Sequence, residues 1–126
     1  MPGVTFWTGW EPLTLEGAQQ LSDVTGVYEV KVEGRLVDYP TGRSAMIYYG
    51  KTEPALRSLR EVVLRDWFAP DKEAIRANWS AYGPIVFRWA AVTPESVDDE
   101  HARRNRLFVE RFGRLPWGNP DSAPSE

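Results

Sequence analysis

The sequence predicts an α+β fold: a small antiparallel sheet of about three strands, flanked by helices. Three observations carry that expectation. Residues 24–33 alternate apolar and polar side chains, the period of a strand with one buried face. Met46-Ile47-Tyr48-Tyr49 is a short apolar run ending at Gly50, after which Leu56, Leu59, Val63, Leu64 and Trp67 follow at helical spacing. Residues 85–92 are apolar and β-rich, broken only by Arg88. At 126 residues the chain is one domain by length, with 42% hydrophobic residues to build a core.

In chain order, residues 1–12 set Phe6, Trp7 and Trp10 among Gly and Pro, a segment of irregular chain or short strand that packs aromatics onto the body. Thr14 suits the N-cap of a helix over 15–21, with Glu16 in its first turn. Ser22-Asp23 then turns the chain. Along 24–33, Val27, Glu29, Lys31 and Glu33 alternate with Tyr28, Val30 and Val32, a half-buried strand. Gly34-Arg35 predicts a hairpin turn, residues 36–39 a continuing strand, and Pro40-Thr41-Gly42-Arg43 a polar loop. Residues 44–49 form the next strand, and its pairing with the first brings Tyr28 near Tyr48. Pro54 suits the first turn of a helix over 54–68, with Arg57, Arg60 and Arg65 around its surface. Asp71 is a fitting N-cap for a helix over 72–79, with Ile75 and Trp79 on one face. Tyr82-Gly83-Pro84 interrupts before the 85–92 strand. Thr93 or Pro94 opens a last helix over 95–111, which Gly113 ends. The domain spans 1–119, and residues 120–126 read as a disordered tail.

Composition narrows the classes. With no cysteine there is no disulfide framework and no thiolate zinc site. No stretch approaches the roughly 20 apolar residues of a membrane span. No basic region followed by an apolar run stands at the N-terminus, so the expectation is no signal peptide, no membrane and a cytoplasmic residence. Net charge is −3 and the pI is about 5.2, unusual for a protein that neutralises phosphates. Arginines nonetheless gather at 57, 60 and 65, and again at 103, 104, 106, 111 and 114, which allows a local basic face. The sequence sets no oligomeric state.

Gly26-Val27-Tyr28 and Tyr48-Tyr49-Gly50, in that order, followed by Lys51-Thr52, an arginine-bearing helix, a strand and a helix closing on Leu115-Pro116-Trp117-Gly118-Asn119, resemble the signature of the GIY-YIG nuclease family. The resemblance covers residues 13–119. It implies a small antiparallel sheet flanked by helices and a site in which two tyrosines, a helix arginine and a glutamate surround one divalent metal, Mg²⁺ or Mn²⁺. There the metal polarises the phosphoryl oxygen and acidifies bound water, and cations balance the growing charge. The carry-over assigns Tyr28 and Tyr48, and places the arginine on Arg57 or Arg60. Lys51, Thr52, Arg104 and Asn119 are its substrate-binding candidates.

The metal-binding glutamate is the departure. Counting back from Phe108-Val109 lands on Asn105, a neutral amide poorly suited to a hard cation. Glu100 lies too far round the helix to substitute, and Glu110 points away. His101 shares a helix face with Asn105 through i, i+4 spacing, so His101 and Asn105 are the metal candidates that remain. Three functions follow: a metal-dependent endonuclease with a shifted ligand; a non-cleaving module that binds nucleic acid or protein; or a scaffold turned to small anionic ligands.

Overall fold

The computed structural model describes residues 7–54 and 58–119. The chain runs β1 (Glu11–Pro12), α1 (Leu15–Gln19), β2 (Gly26–Val32), β3 (Val37–Tyr39), β4 (Gly42–Ser44), β5 (Met46–Lys51), α2 (Leu59–Phe68), a 3-10 turn (Pro70–Lys72), α3 (Glu73–Ser80), β6 (Ile85–Ala91) and α4 (Val97–Phe112). The architecture is α+β. One antiparallel sheet has the order β1-β6-β2-β5, and β3 and β4 form a separate two-stranded ribbon. Among the described residues, no helix is long and apolar enough to cross a membrane.

Local chemistry sets most boundaries. Thr14 Oγ1 accepts the Gly17 N–H at 3.0 Å, capping α1. Gly34 turns the chain at φ +78°, and Gly113 ends α4 at φ +89°. Several assignments differ from the sequence reading: α1 ends at Gln19, α4 begins at Val97, and Gly42–Ser44, read partly as a polar loop, form β4. α2 begins at Leu59 rather than Pro54, because Ser58 and Glu61 form a reciprocal capping box. Asp71 lies inside the 3-10 turn, so it caps nothing, and Lys72 precedes α3 without a side-chain cap. The sheet, read as about three strands, has four, because the N-terminal segment, read as irregular chain or short strand, adds β1 to β6; residues 37–39 do form a strand, and it pairs with β4. The tail beyond Asn119 lies outside the described residues.

The largest correction concerns β2, which is buried on both faces instead of half-buried. Tyr28, Val30 and Val32 meet Leu59, Val62, Val63 and Trp67 in the main core. On the opposite face Val27 packs with Val97 of α4. Glu29, read as solvent-facing, is fully enclosed there. A carboxylate in that setting needs partners. Arg88 Nε donates to it at 2.9 Å, and the Arg104 guanidinium pairs with its other oxygen. Trp7 lies over both guanidiniums, 4.7 and 4.6 Å from its ring centre. Glu100 is buried nearby and paired with Arg103 at 2.8 Å.

The β2–β5 pairing sets Tyr28 opposite Gly50. The Tyr28 ring lies across that glycine: a Cβ on Gly50 would stand 2.2 Å from Tyr28 Cε1 and 2.5 Å from Cζ. Gly26 is equally confined, since a Cβ there would stand 2.2 Å from the Ala90 carbonyl oxygen. The glycines of both tripeptides therefore answer a demand for space. Gly50→Ala is expected to lower unfolding free energy by about 1–3 kcal/mol through overpacking. Urea denaturation checks this, and a variant as stable as wild type would contradict the ring-over-glycine packing.

Candidate functional site

A cleft of about 340 Å³ opens along the β5 edge, walled by β5, α2 and α4 and closed by Gly118 and Asn119. Register decides which side chains reach it. Tyr28 and Tyr48 share the sheet face toward α2, so their rings approach to 5.6 Å between centres, as the paired-strand reading requires. Both hydroxyls end on one atom. Tyr28 donates to Asp66 Oδ2 at 2.7 Å, and Tyr48 donates to the same oxygen at 2.9 Å. Arg65 Nε donates to Asp66 Oδ1 at 2.9 Å, and the Arg65 guanidinium reaches Glu53 at 3.0 Å.

This arrangement fixes protonation. Burial raises the Tyr28 pKa well above 10, and the neighbouring Tyr48 and Asp66 raise it further. Burial likewise raises Tyr48, with the Asp66 charge as the next cause. Both phenols are therefore proton donors at neutral pH, and neither is set as a general base. The Glu53 hydrogen bond is the first cause of a raised Arg65 pKa, so that guanidinium stays charged. Lys51 and Lys72 also line the cleft. Lys51 donates to Asp98 at 2.8 Å. Among the described residues, Lys72 has no carboxylate partner.

His101 faces the cleft from α4, and its ring is committed at both nitrogens. Nε2 lies 3.1 Å from the Tyr49 carbonyl oxygen, which only accepts, so Nε2 carries the proton. Nδ1 then accepts from the Asn105 amide at 3.4 Å. Asn105 stands behind His101, away from the cleft lining, with its Oδ1 buried and unpartnered. Mg²⁺ or Mn²⁺ held through His101 and Asn105 does not fit this donor set, because the one imidazole lone pair is taken. The two oxygens of Asp66 already receive three donors. Among the described residues, no three His, Cys, Asp or Glu side chains gather as a metal-ligand group.

The other candidates fall in different places. Arg60 turns toward the Leu21 carbonyl at 3.5 Å and does not line the cleft. Arg57 lies outside the described residues. Arg104 sits across the sheet on Glu29. Thr52 is buried, accepting the Gly26 N–H at 3.2 Å, and so pins the start of β2 to the end of β5. Asn119 lines the cleft, but its amide is spent on the Tyr49 backbone: Oδ1 accepts the N–H at 3.0 Å and Nδ2 donates to the carbonyl at 2.9 Å. With the Gly118 N–H on the Ile47 carbonyl at 2.8 Å, this segment covers the open edge of β5.

Sequence reasoning missed Asp66, Lys72 and Glu53. For Asp66 a signal existed. Leu59, Val62, Val63 and Trp67 are the buried positions of α2, and Asp66 falls on the same stripe by helical spacing. A carboxylate on a core face needs donors from elsewhere in the fold. Compared with protein-family models, curated proteins and solved structures, the chain matches none.

The chain has one histidine, so its NMR titration reports this site alone. Burial lowers the His101 pKa, outweighing the Tyr49 hydrogen bond, and the expected midpoint is below 6.5. The folded protein then binds fewer protons than the unfolded chain just below pH 6.5. The His101 contribution to stability is thus full above that pH and lost as pH falls through the folded pKa. A midpoint at or above 6.5 would contradict the buried, neutral ring.

Proposed function

We propose that the chain is a GIY-YIG-type, nuclease-like domain that binds phosphodiester ligands in this cleft and has lost metal-dependent cleavage. One observation carries the reading: two motif tyrosines meet on a single aspartate, in the wall of a cleft that also receives Lys51, Arg65, Lys72 and His101. The cations suit phosphate oxygens, and Lys72, which has no carboxylate partner among the described residues, is the first counter-charge available. The apolar walls from Trp67 and Ile75 strengthen such contacts by excluding water.

The same geometry supports binding over cutting. Hydrolysis needs an activated water. The phenols are held protonated against Asp66, and the His101 lone pair faces Asn105. These groups are committed within the protein and do not take a proton from water as they stand. An acidic whole molecule is compatible with this, because the carboxylates in the cleft, Glu53 and Asp66, are both occupied by Arg65.

Fluorescence anisotropy with a labelled oligonucleotide of about ten nucleotides tests the reading. Binding is expected at low salt and falls as salt rises. Lys72→Ala is expected to weaken it and to reduce the magnitude of the log–log salt slope by about 1. With Mg²⁺ or Mn²⁺ added, supercoiled plasmid is expected to stay intact. Absence of binding at low salt would overturn the phosphodiester reading. Metal-dependent nicking that disappears in His101→Ala would overturn the loss of cleavage.

A further inference from the structure

We infer that the aromatic groove beside the cleft is a base-stacking subsite for an unpaired nucleic-acid strand. This rests on the phosphodiester reading and specifies the strand that the cleft takes. The groove, about 330 Å³, lies between Trp79, Tyr82 and Trp117, and shares Ile75 and Gly118 with the cleft. A further depression of about 570 Å³ shares the three aromatics and ends at Arg35 and Arg43. The surface thus runs as one track, from Lys51, Arg65 and Lys72, through three aromatic rings, to two arginines.

The rings are placed for use. Trp117 is 44% exposed and Tyr82 is 42% exposed, so both present apolar area that an occupant would cover. Neither ring is loose. Trp117 Nε1 donates to the Asp38 carbonyl at 2.8 Å, and its ring stacks on Tyr39 at 5.7 Å with 21° between planes. Tyr82 leans on Trp79 at 5.4 Å. Rings already oriented lose little freedom when a ligand stacks on them. Guanidiniums accompany both: Arg114 lies 3.9 Å from the Trp117 ring centre and Arg35 lies 5.0 Å from that of Tyr82. Among the described residues, neither Arg114 nor Arg35 has a carboxylate partner. In the depression beyond, Asp38 is bonded to Arg43 at 3.0 Å, which leaves Arg35 as the cation without a carboxylate at that end among the described residues.

Charge and shape together select the occupant. Aromatic rings between cationic ends match a chain of bases on a phosphate backbone, and every base has a face to stack. A duplex keeps those faces covered by its own neighbours, so the strand must be unpaired.

The test compares wild-type binding of oligothymidylate with an abasic strand of equal length and charge, read by anisotropy and tryptophan quenching. Oligothymidylate is expected to bind about 5- to 100-fold more tightly, with quenching that the abasic strand does not cause. An oligouridylate beside its own abasic strand separates RNA from DNA, and a base-dependent gain with either sugar supports the inference. Tyr82→Ala and Trp117→Ala should each pull oligothymidylate toward the abasic affinity and leave the abasic strand unchanged. Trp117→Phe, which keeps a ring, should retain part of the gain. Equal affinity for base-bearing and abasic strands would overturn this inference while the phosphodiester reading stands, as would tighter binding of duplex. If neither strand binds, the phosphodiester reading fails and this inference falls with it.

Discussion

The Asp66 carboxylate is the interaction on which the rest of this structure depends. It collects a hydroxyl from β2, a hydroxyl from β5 and a guanidinium from its own helix. Hydrogen bonds to a charged acceptor are worth about 1.5–3 kcal/mol each in favourable settings, and leaving such donors buried without one is costly. The junction therefore does more than attach α2 to the sheet. It sets the angle of the Tyr28 ring, and that ring occupies the space a side chain at position 50 would need. The glycine, the two tyrosines and the aspartate form one packing unit. The unit ties β5 to α2, and Tyr48, Gly50 and Asp66 form part of the cleft wall.

The opposite face of β2 has its own polar anchor. Glu29 is enclosed between Arg88 and Arg104, with Trp7 over both. Buried ion pairs of this kind are weak contributors to stability but heavy penalties when one partner is missing. The strand is thus registered twice, by Tyr28 toward α2 and by Glu29 toward α4. A one-residue slip would exchange the two groups and leave a carboxylate among Leu59, Val62 and Val63. That constraint explains why Arg104 belongs to the frame of the molecule rather than to the cleft.

Much of this was legible in the sequence. Periodicity located β2, β5, β6 and the three longer helices, and the pairing of two tripeptides brought Tyr28 to Tyr48. Some of the missing parts have partners far away along the chain. Asp66 binds groups 38 and 18 residues away, which no local spacing encodes. Its place on the apolar stripe of α2 was the available clue. Glu29 fitted an alternating pattern, and alternation cannot tell a solvent face from a second buried one. The capping box of Ser58 and Glu61 was readable as S-x-x-E and would have moved the start of α2. In α4, counting from Phe108 found Asn105, but His101, one turn earlier, is the residue that faces the cleft.

These constraints lead to a cleft whose tyrosines donate to Asp66, whose histidine is neutral and committed, and whose Lys72 has no carboxylate partner among the described residues. The most direct test of the central claim is a double-mutant cycle in urea between Tyr28→Phe and Asp66→Ala. Removing the hydroxyl should destabilise the wild type, whereas in the Asp66→Ala background it should cost nothing or stabilise, giving a coupling of about 1.5–3 kcal/mol. A coupling indistinguishable from zero would contradict the account, because the tyrosines would then hold their positions without the aspartate.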